Sequence, residues 1–127
     1  MNKADKHDIK VDVETTFIPG QSRPEAGHYV FGYTITISNQ GSLPARLLNR
    51  HWIITDANGK VEEVHGEGVV GEKPYLKPGQ NYRYSSGAVL ETPVGAMEGS
   101  YEMLDDQGER FFAPIPVFSL RTPNTVN

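Results

Sequence analysis

The segment His65-Gly66-Glu67-Gly68-Val69-Val70-Gly71-Glu72-Lys73-Pro74 contains the spelling Gly-x-Gly-x-x-Gly, with which some proteins cradle a pyrophosphate. That chemistry needs a strand before the glycines and a helix opening at the third, because the helix N-terminus holds the anion. Pro74 and Pro78 fall where the second and third turns of that helix would run, and a helix-interior proline costs about 3 kcal/mol. The P-loop form is not matched either, since Lys73 lies two residues beyond Gly71 and precedes a proline. Two readings result. Gly66, Gly68 and Gly71 either form a nucleotide cradle or supply backbone geometry in a sheet, and the prolines favour the sheet.

Other reactive side chains are scattered. The histidines at 7, 28, 51 and 65 show neither His-Glu-x-x-His nor alternate-residue spacing, so a zinc site would need ligands converging from separate loops. His51, beside Trp52 in a strand pattern, reads as a sheet-surface residue, and His65 abuts the glycines. Glu62, Glu63, Glu67 and Glu72 crowd the same segment, and Asp105, Asp106 and Glu109 occupy a turn. Their spacing does not reproduce a calcium loop, which leaves at most a weak divalent-cation site. Ser85-Ser86-Gly87 and Gly99-Ser100-Tyr101 lack the glycine spacing of a nucleophile elbow. The sequence therefore predicts no catalytic residue, no dedicated metal site and no cofactor.

The elements that must position these residues read as strands. Ile9, Val11, Val13, Thr15 and Phe17 alternate with polar neighbours, and Tyr29, Phe31, Tyr33, Ile35 and Ile37 do so more strongly. Residues 18 to 27 form a loop rich in proline and glycine. From 46 to 55, alternation places Leu48, Arg50, Trp52 and Ile54 on one face. Asp56-Ala57-Asn58-Gly59 turns the chain into a returning strand at 60 to 64. The glycines thus follow an antiparallel ribbon. Strands are expected again near 82 to 86, 99 to 104 and 110 to 118, with 87 to 97 irregular. Pro114 and Pro116 remove donors from the last strand, which marks it as an edge or a bulged strand. About seven or more short strands without a helix predict an all-β antiparallel sandwich.

Composition narrows the function. The 127 residues have a formal net charge of -4 and no basic run, so nothing attracts nucleic acid or an anionic membrane. With no cysteine, disulfides and thiolate chemistry are excluded. The polar N-terminus shows no signal peptide, and cytoplasmic localisation is expected. One domain at 9–120 is predicted between disordered tails at 1–8 and 121–127.

Tyr33-Thr34-Ile35-Thr36-Ile37-Ser38-Asn39, Leu47-Leu48-Asn49-Arg50-His51-Trp52-Ile53-Ile54-Thr55-Asp56 and Val64-His65-Gly66-Glu67-Gly68-Val69-Val70-Gly71 closely resemble the bacterial ApaG family. So do Leu76-Lys77-Pro78-Gly79, Tyr84-Ser85-Ser86-Gly87, Gly95-Ala96-Met97-Glu98-Gly99-Ser100-Tyr101 and Ile115-Pro116-Val117-Phe118-Ser119-Leu120. The resemblance implies a fibronectin type III or immunoglobulin-like sandwich, which as a domain of eukaryotic F-box proteins and of a DNA-polymerase-interacting protein looks like a protein-interaction module. It also implies an association with cobalt and magnesium tolerance and a gene neighbour that hydrolyses diadenosine tetraphosphate. It carries over no catalytic residue.

The sequence is therefore read as a non-enzymatic module for an unidentified protein partner, with Arg50, His51, His65, Glu67, Glu72 and Lys73 as the expected surface. The alternative is a weak divalent-cation or nucleotide binder using Gly66, Gly68 and Gly71.

Overall fold

The computed structural model describes residues 5–123. Eight strands follow one another: β1 (Ile9–Phe17), β2 (Tyr29–Asn39), β3 (Ala45–Asp56), β4 (Val61–Glu67), β5 (Tyr75–Leu76), β6 (Asn81–Leu90), β7 (Val94–Asp105) and β8 (Arg110–Arg121). Two single 3₁₀ turns, Pro19–Gln21 and Pro24–Ala26, occupy the loop after β1. All pairings are antiparallel. One sheet has the order β1-β2-β6; the other runs β4-β3-β7-β8, with β5 also paired to β3. Two such sheets face to face make a fibronectin type III-like or immunoglobulin-like sandwich, as the sequence predicts.

Alternation builds the core. Phe31, Tyr33, Ile35 and Ile37 of β2 face Leu47, Trp52, Met97, Tyr101 and Met103 of the larger sheet, all buried. Trp52 packs edge-on against Tyr33 and Phe118, at centroid distances of 5.5 and 5.8 Å. A further link between the sheets is polar. The hydroxyls of Tyr84 on β6 and Tyr101 on β7 share a buried hydrogen bond of 2.5 Å. Burial pushes Tyr84 up to about 12 and Tyr101 higher still, so both phenols stay neutral.

Two hairpins repeat one device. Asp56 Oδ1 accepts the amides of Asn58 and Lys60, and Asp105 Oδ1 accepts those of Gln107 and Glu109. Each hairpin has a three-residue loop ending in a positive-φ glycine, Gly59 or Gly108.

The structure revises several expectations. Leu48 has no partner on β7: Leu47 pairs with Met103 and Asn49 with Glu102. Alternation slips there, so Leu47 is buried rather than Leu48, and Arg50, Trp52 and Ile54 resume the inner face. Residues 87 to 97 are not irregular. β6 runs to Leu90 and β7 begins at Val94; the glycines at 87 and 95 obscure a pattern that the ladder imposes. Residues 5–8, assigned to a free tail, are tied down: Asp5 and Lys6 carbonyls accept the amides of Ser42 and Leu43, and His7 Nε2 meets Asp105 Oδ2 at 2.7 Å. The rest of both expected tails, apart from Arg121 to Pro123, lies outside the described residues.

The hydrogen bond with His7, aided by the amides of Glu109 and Gln107, outweighs desolvation and holds the Asp105 carboxyl below its ordinary range. A depressed carboxylate stabilises the fold above its unfolded pKa, about 3.9 for Asp, and loses that contribution as pH falls through the lower folded value. Asp105→Asn should therefore be less stable than wild type at neutral pH. The gap in urea midpoint should close on acidification. In the core, Tyr101→Phe leaves the Tyr84 hydroxyl unpaired and should cost about 1–3 kcal/mol, whereas the Tyr84→Phe/Tyr101→Phe pair should cost less than the two single losses summed. A double-mutant cycle in urea measures this.

Candidate functional site

The ribbon of β3 and β4 and the loop beyond it carry all nine residues singled out in the sequence. Asp56 N bonds Lys60 O at one end, and Gly68 N bonds Leu48 O at the other. Ladder bonds alternate along an antiparallel pair. The Arg50–Gly66 and Trp52–Val64 pairs are accordingly the hydrogen-bonded ones. His51–His65 and Ile53–Glu63 are the closer, non-hydrogen-bonded pairs. The backbone groups of Val61, Glu63, His65 and Glu67 consequently point away from β3, along the edge of the sheet.

The glycine segment is a transfer of the chain along that edge. β3 pairs with β4 up to Asn49 and with β5 at Ala45 and Arg46. Between them the chain leaves and returns. Gly68 has φ +61, and a Cβ there would fall 2.3 Å from Glu72 O. Val69 and Glu72 exchange two backbone hydrogen bonds around Val70 and Gly71, with φ of 49° and 80°, the signs of a type I′ turn. Val69 is buried in the core, while Val70 is exposed. At Gly66 a Cβ would lie 2.6 Å from the Arg50 guanidinium; the group instead lies over the bare glycine and donates from Nη1 to the carbonyls of Glu67 and Gly68, at 2.9 and 3.0 Å.

These contacts bear on the two readings of the spelling. No helix follows Gly71. The amides of Gly68, Val69 and Glu72 are bonded to backbone carbonyls, so they do not converge on an anion. The glycines serve the backbone.

Of the expected surface residues, Arg50, Glu67 and Lys73 gather at one end of the ribbon, where Lys73 Nζ lies 3.1 Å from Glu67 Oε1. Glu72 lies at the type I′ turn. His51 and His65 stand opposite each other on the outer face, their rings stacked at 4.2 Å and 7°, and His51 Nε2 lies 3.1 Å from Glu63 Oε2. Beside them a cavity of about 450 Å³ is lined in part by Asn49, Ser100, Glu102 and Phe112. Asn49 Nδ2 donates to Glu102 Oε1 at 2.8 Å. That bond, with Arg110 beside it, lowers the Glu102 pKa against desolvation.

The sequence reading left Glu63, Val70, Asn49, Glu102 and Phe112 outside the expected surface. A signal for Glu63 was present: a three-residue Ala57-Asn58-Gly59 loop fixes a register that sets His51 opposite His65, with Glu63 two residues along the same face.

A fibronectin type III-like sandwich with bulges in β3 and β8 and a glycine-turned edge is the class that this geometry defines. Residues 19–105 match the model of the ApaG domain. The chain is 53% identical over 127 residues to Protein ApaG of Aromatoleum aromaticum, covering 100% of each. It is 55% identical over 119 residues to Protein ApaG of Sodalis glossinidius, covering 94% of this chain and 95% of the relative. The crystal structure of the putative ApaA protein from Bordetella pertussis superposes with a TM-score of 0.93 at 45% identity, over 97% of this chain and 100% of that one. The chain belongs to the ApaG family. Among the described residues no helix is long and apolar enough to cross a membrane.

A β-branched residue with positive φ is strained. Val70→Asn, which completes the Asn-Gly pair favoured in type I′ turns, should stabilise the fold by about 1 kcal/mol. Gly68→Ala meets both positive φ and the Glu72 carbonyl and should destabilise it by at least about 1–3 kcal/mol. Urea midpoints at unchanged slope report both.

Proposed function

We propose that the chain is a non-enzymatic, cytoplasmic protein-interaction module that receives an extended polypeptide segment along β4. One observation carries this reading: β4 is an exposed edge strand. Every residue from Val61 to Glu67 is exposed except half-buried Gly66, β3 is its only strand neighbour among the described residues, and no proline interrupts it. A row of outward N–H and C=O groups is a template for strand addition.

The space beyond the edge suits the same occupant. On the open side of the sandwich, a groove of about 380 Å³ runs between β4 and β6, with Tyr33, Trp52, Ile54 and Met97 in its lining and Val64 and Val89 at the two strands. A strand added to β4 would send alternate side chains toward this groove, whose aromatic and aliphatic lining is joined by Arg50, Glu62 and Ser86. Nearby hydroxyls support the non-enzymatic reading, since Ser85 pairs with Thr34 and Tyr84 with Tyr101 rather than with a general base.

Strand addition makes a distinctive demand on the backbone. Glu63→Pro removes an outward N–H without breaking a β3–β4 bond, whereas Glu63→Ala removes only the carboxylate. Once a partner has been captured on the immobilised wild-type chain and identified, its affinity should fall at least about tenfold, about 1.4 kcal/mol, for Glu63→Pro and stay near wild type for Glu63→Ala. Retention of the partner by a folded Glu63→Pro chain would exclude docking at this edge.

A further inference from the structure

The outer face of the ribbon holds a second feature, built from side chains of strands whose backbone forms the peptide edge. His51, Glu63 and His65 each present one ligand atom, and the three lie within 4.8 Å of one another. We infer that these three side chains form a binding site for an imidazole-favouring divalent cation such as Zn²⁺, with the remaining coordination positions open to the adjoining cavity.

Three observations carry the assignment. The first is register: His51 and His65 form a non-hydrogen-bonded cross-strand pair, the pairing that brings side chains closest. Their rings lie 4.2 Å apart and one nitrogen of each is within 4.8 Å of the other and of a Glu63 oxygen, so shared coordination requires the rings to turn out of their stack but no movement of the backbone. The second is the donor set. Two imidazoles and one carboxylate, with solvent completing the shell, are the ligands of open zinc sites and suit first-row divalent metals. Mg²⁺, which prefers oxygen ligands in a strict octahedron, is disfavoured by the same set.

The third is availability. Among the described residues the His65 ring nitrogens have no hydrogen-bond partner, and His51 shares its one contact with the third ligand, Glu63. The other group of comparable composition, His7, Asp105 and Glu109, differs here. Asp105 Oδ1 holds the Gln107 and Glu109 amides, Oδ2 holds His7, and Glu109 Oε1 holds Lys6. Its oxygens fix a turn; those of Glu63 are exposed and movable. The cavity beside the histidine pair, about 450 Å³ and open to solvent, admits water or a small anion as further ligand.

The test uses the full chain and the metal alone. Calorimetry with Zn²⁺ should give one bound equivalent, and in NMR the ring resonances of His51 and His65 should shift while those of His7 and His28 stay. His51→Gln, His65→Gln and Glu63→Gln should each weaken Zn²⁺ by at least about tenfold, with His28→Gln as an unaffected control. Mg²⁺ at the same concentration should leave the two rings unmoved. Three results would overturn the assignment: no Zn²⁺ binding at millimolar metal, binding that survives the His51→Gln/His65→Gln double variant, or Mg²⁺ binding as tightly as Zn²⁺. Amide spectra verify that each variant is folded. If any is not, the ring resonances of the wild-type chain decide alone. Because Glu63→Ala should spare the peptide edge, failure here and failure of strand addition are read separately.

Discussion

Leu48 has no partner on β7, and the carbonyl at this bulge accepts the amide of Gly68. That register slip governs the whole edge. Upstream of it β3 presents Ala45 and Leu47 to the core; downstream it presents Trp52 and Ile54. At the same point β3 exchanges one edge neighbour, β4, for another, β5. The chain must therefore leave the edge, turn within a few residues and return, and Gly68, Val70 and Gly71 take the positive φ values that make this possible. Arg50 binds the carbonyls on the outgoing side, and Val69 anchors the loop in the core.

The fold was legible because period-two alternation survives in most strands. Tyr29 to Ile37 states its buried face outright, and the prolines after Gly71 correctly argued against a helix. The bulge was not legible. A run such as Leu47-Leu48 offers two apolar residues, and only pairing with Met103 and Glu102 selects which is buried. The continuity of β6 and β7 past Gly87 and Gly95 was hidden for a related reason, because glycines carry no polarity for a pattern to register. A Cβ at Gly95 would fall 2.7 Å from Thr55 O, a close approach that belongs to tertiary structure.

The candidate site divides along the same line. Arg50, His51, His65 and Glu67 could be chosen because they flank the glycines, so proximity in sequence was enough. Glu63 was named with the carboxylates near the glycines, but its place beside the histidines, and Asn49, Glu102 and Phe112 altogether, became visible only through register across β4, β3, β7 and β8. The separation of the two proposed functions follows from pleating. Within one ribbon, Arg50 and Trp52 face the groove between the sheets, while His51 and Glu63 face outward. The two faces share a backbone and can change independently.

The two edges of the larger sheet are unequal. β8 opposes Ser100 with Pro114, in a pair whose missing donor faces away from β7, and Pro116 and Val117 together oppose Glu98. β4 has no such block. Growth of this sheet can therefore proceed in one direction only. If two copies met β4 to β4, each would use up the open edge of the other's larger sheet, and that sheet pair would close about a two-fold axis. A sheet with two open edges could keep adding strands; the larger sheet of this sandwich, among the described residues, stops at its first added strand.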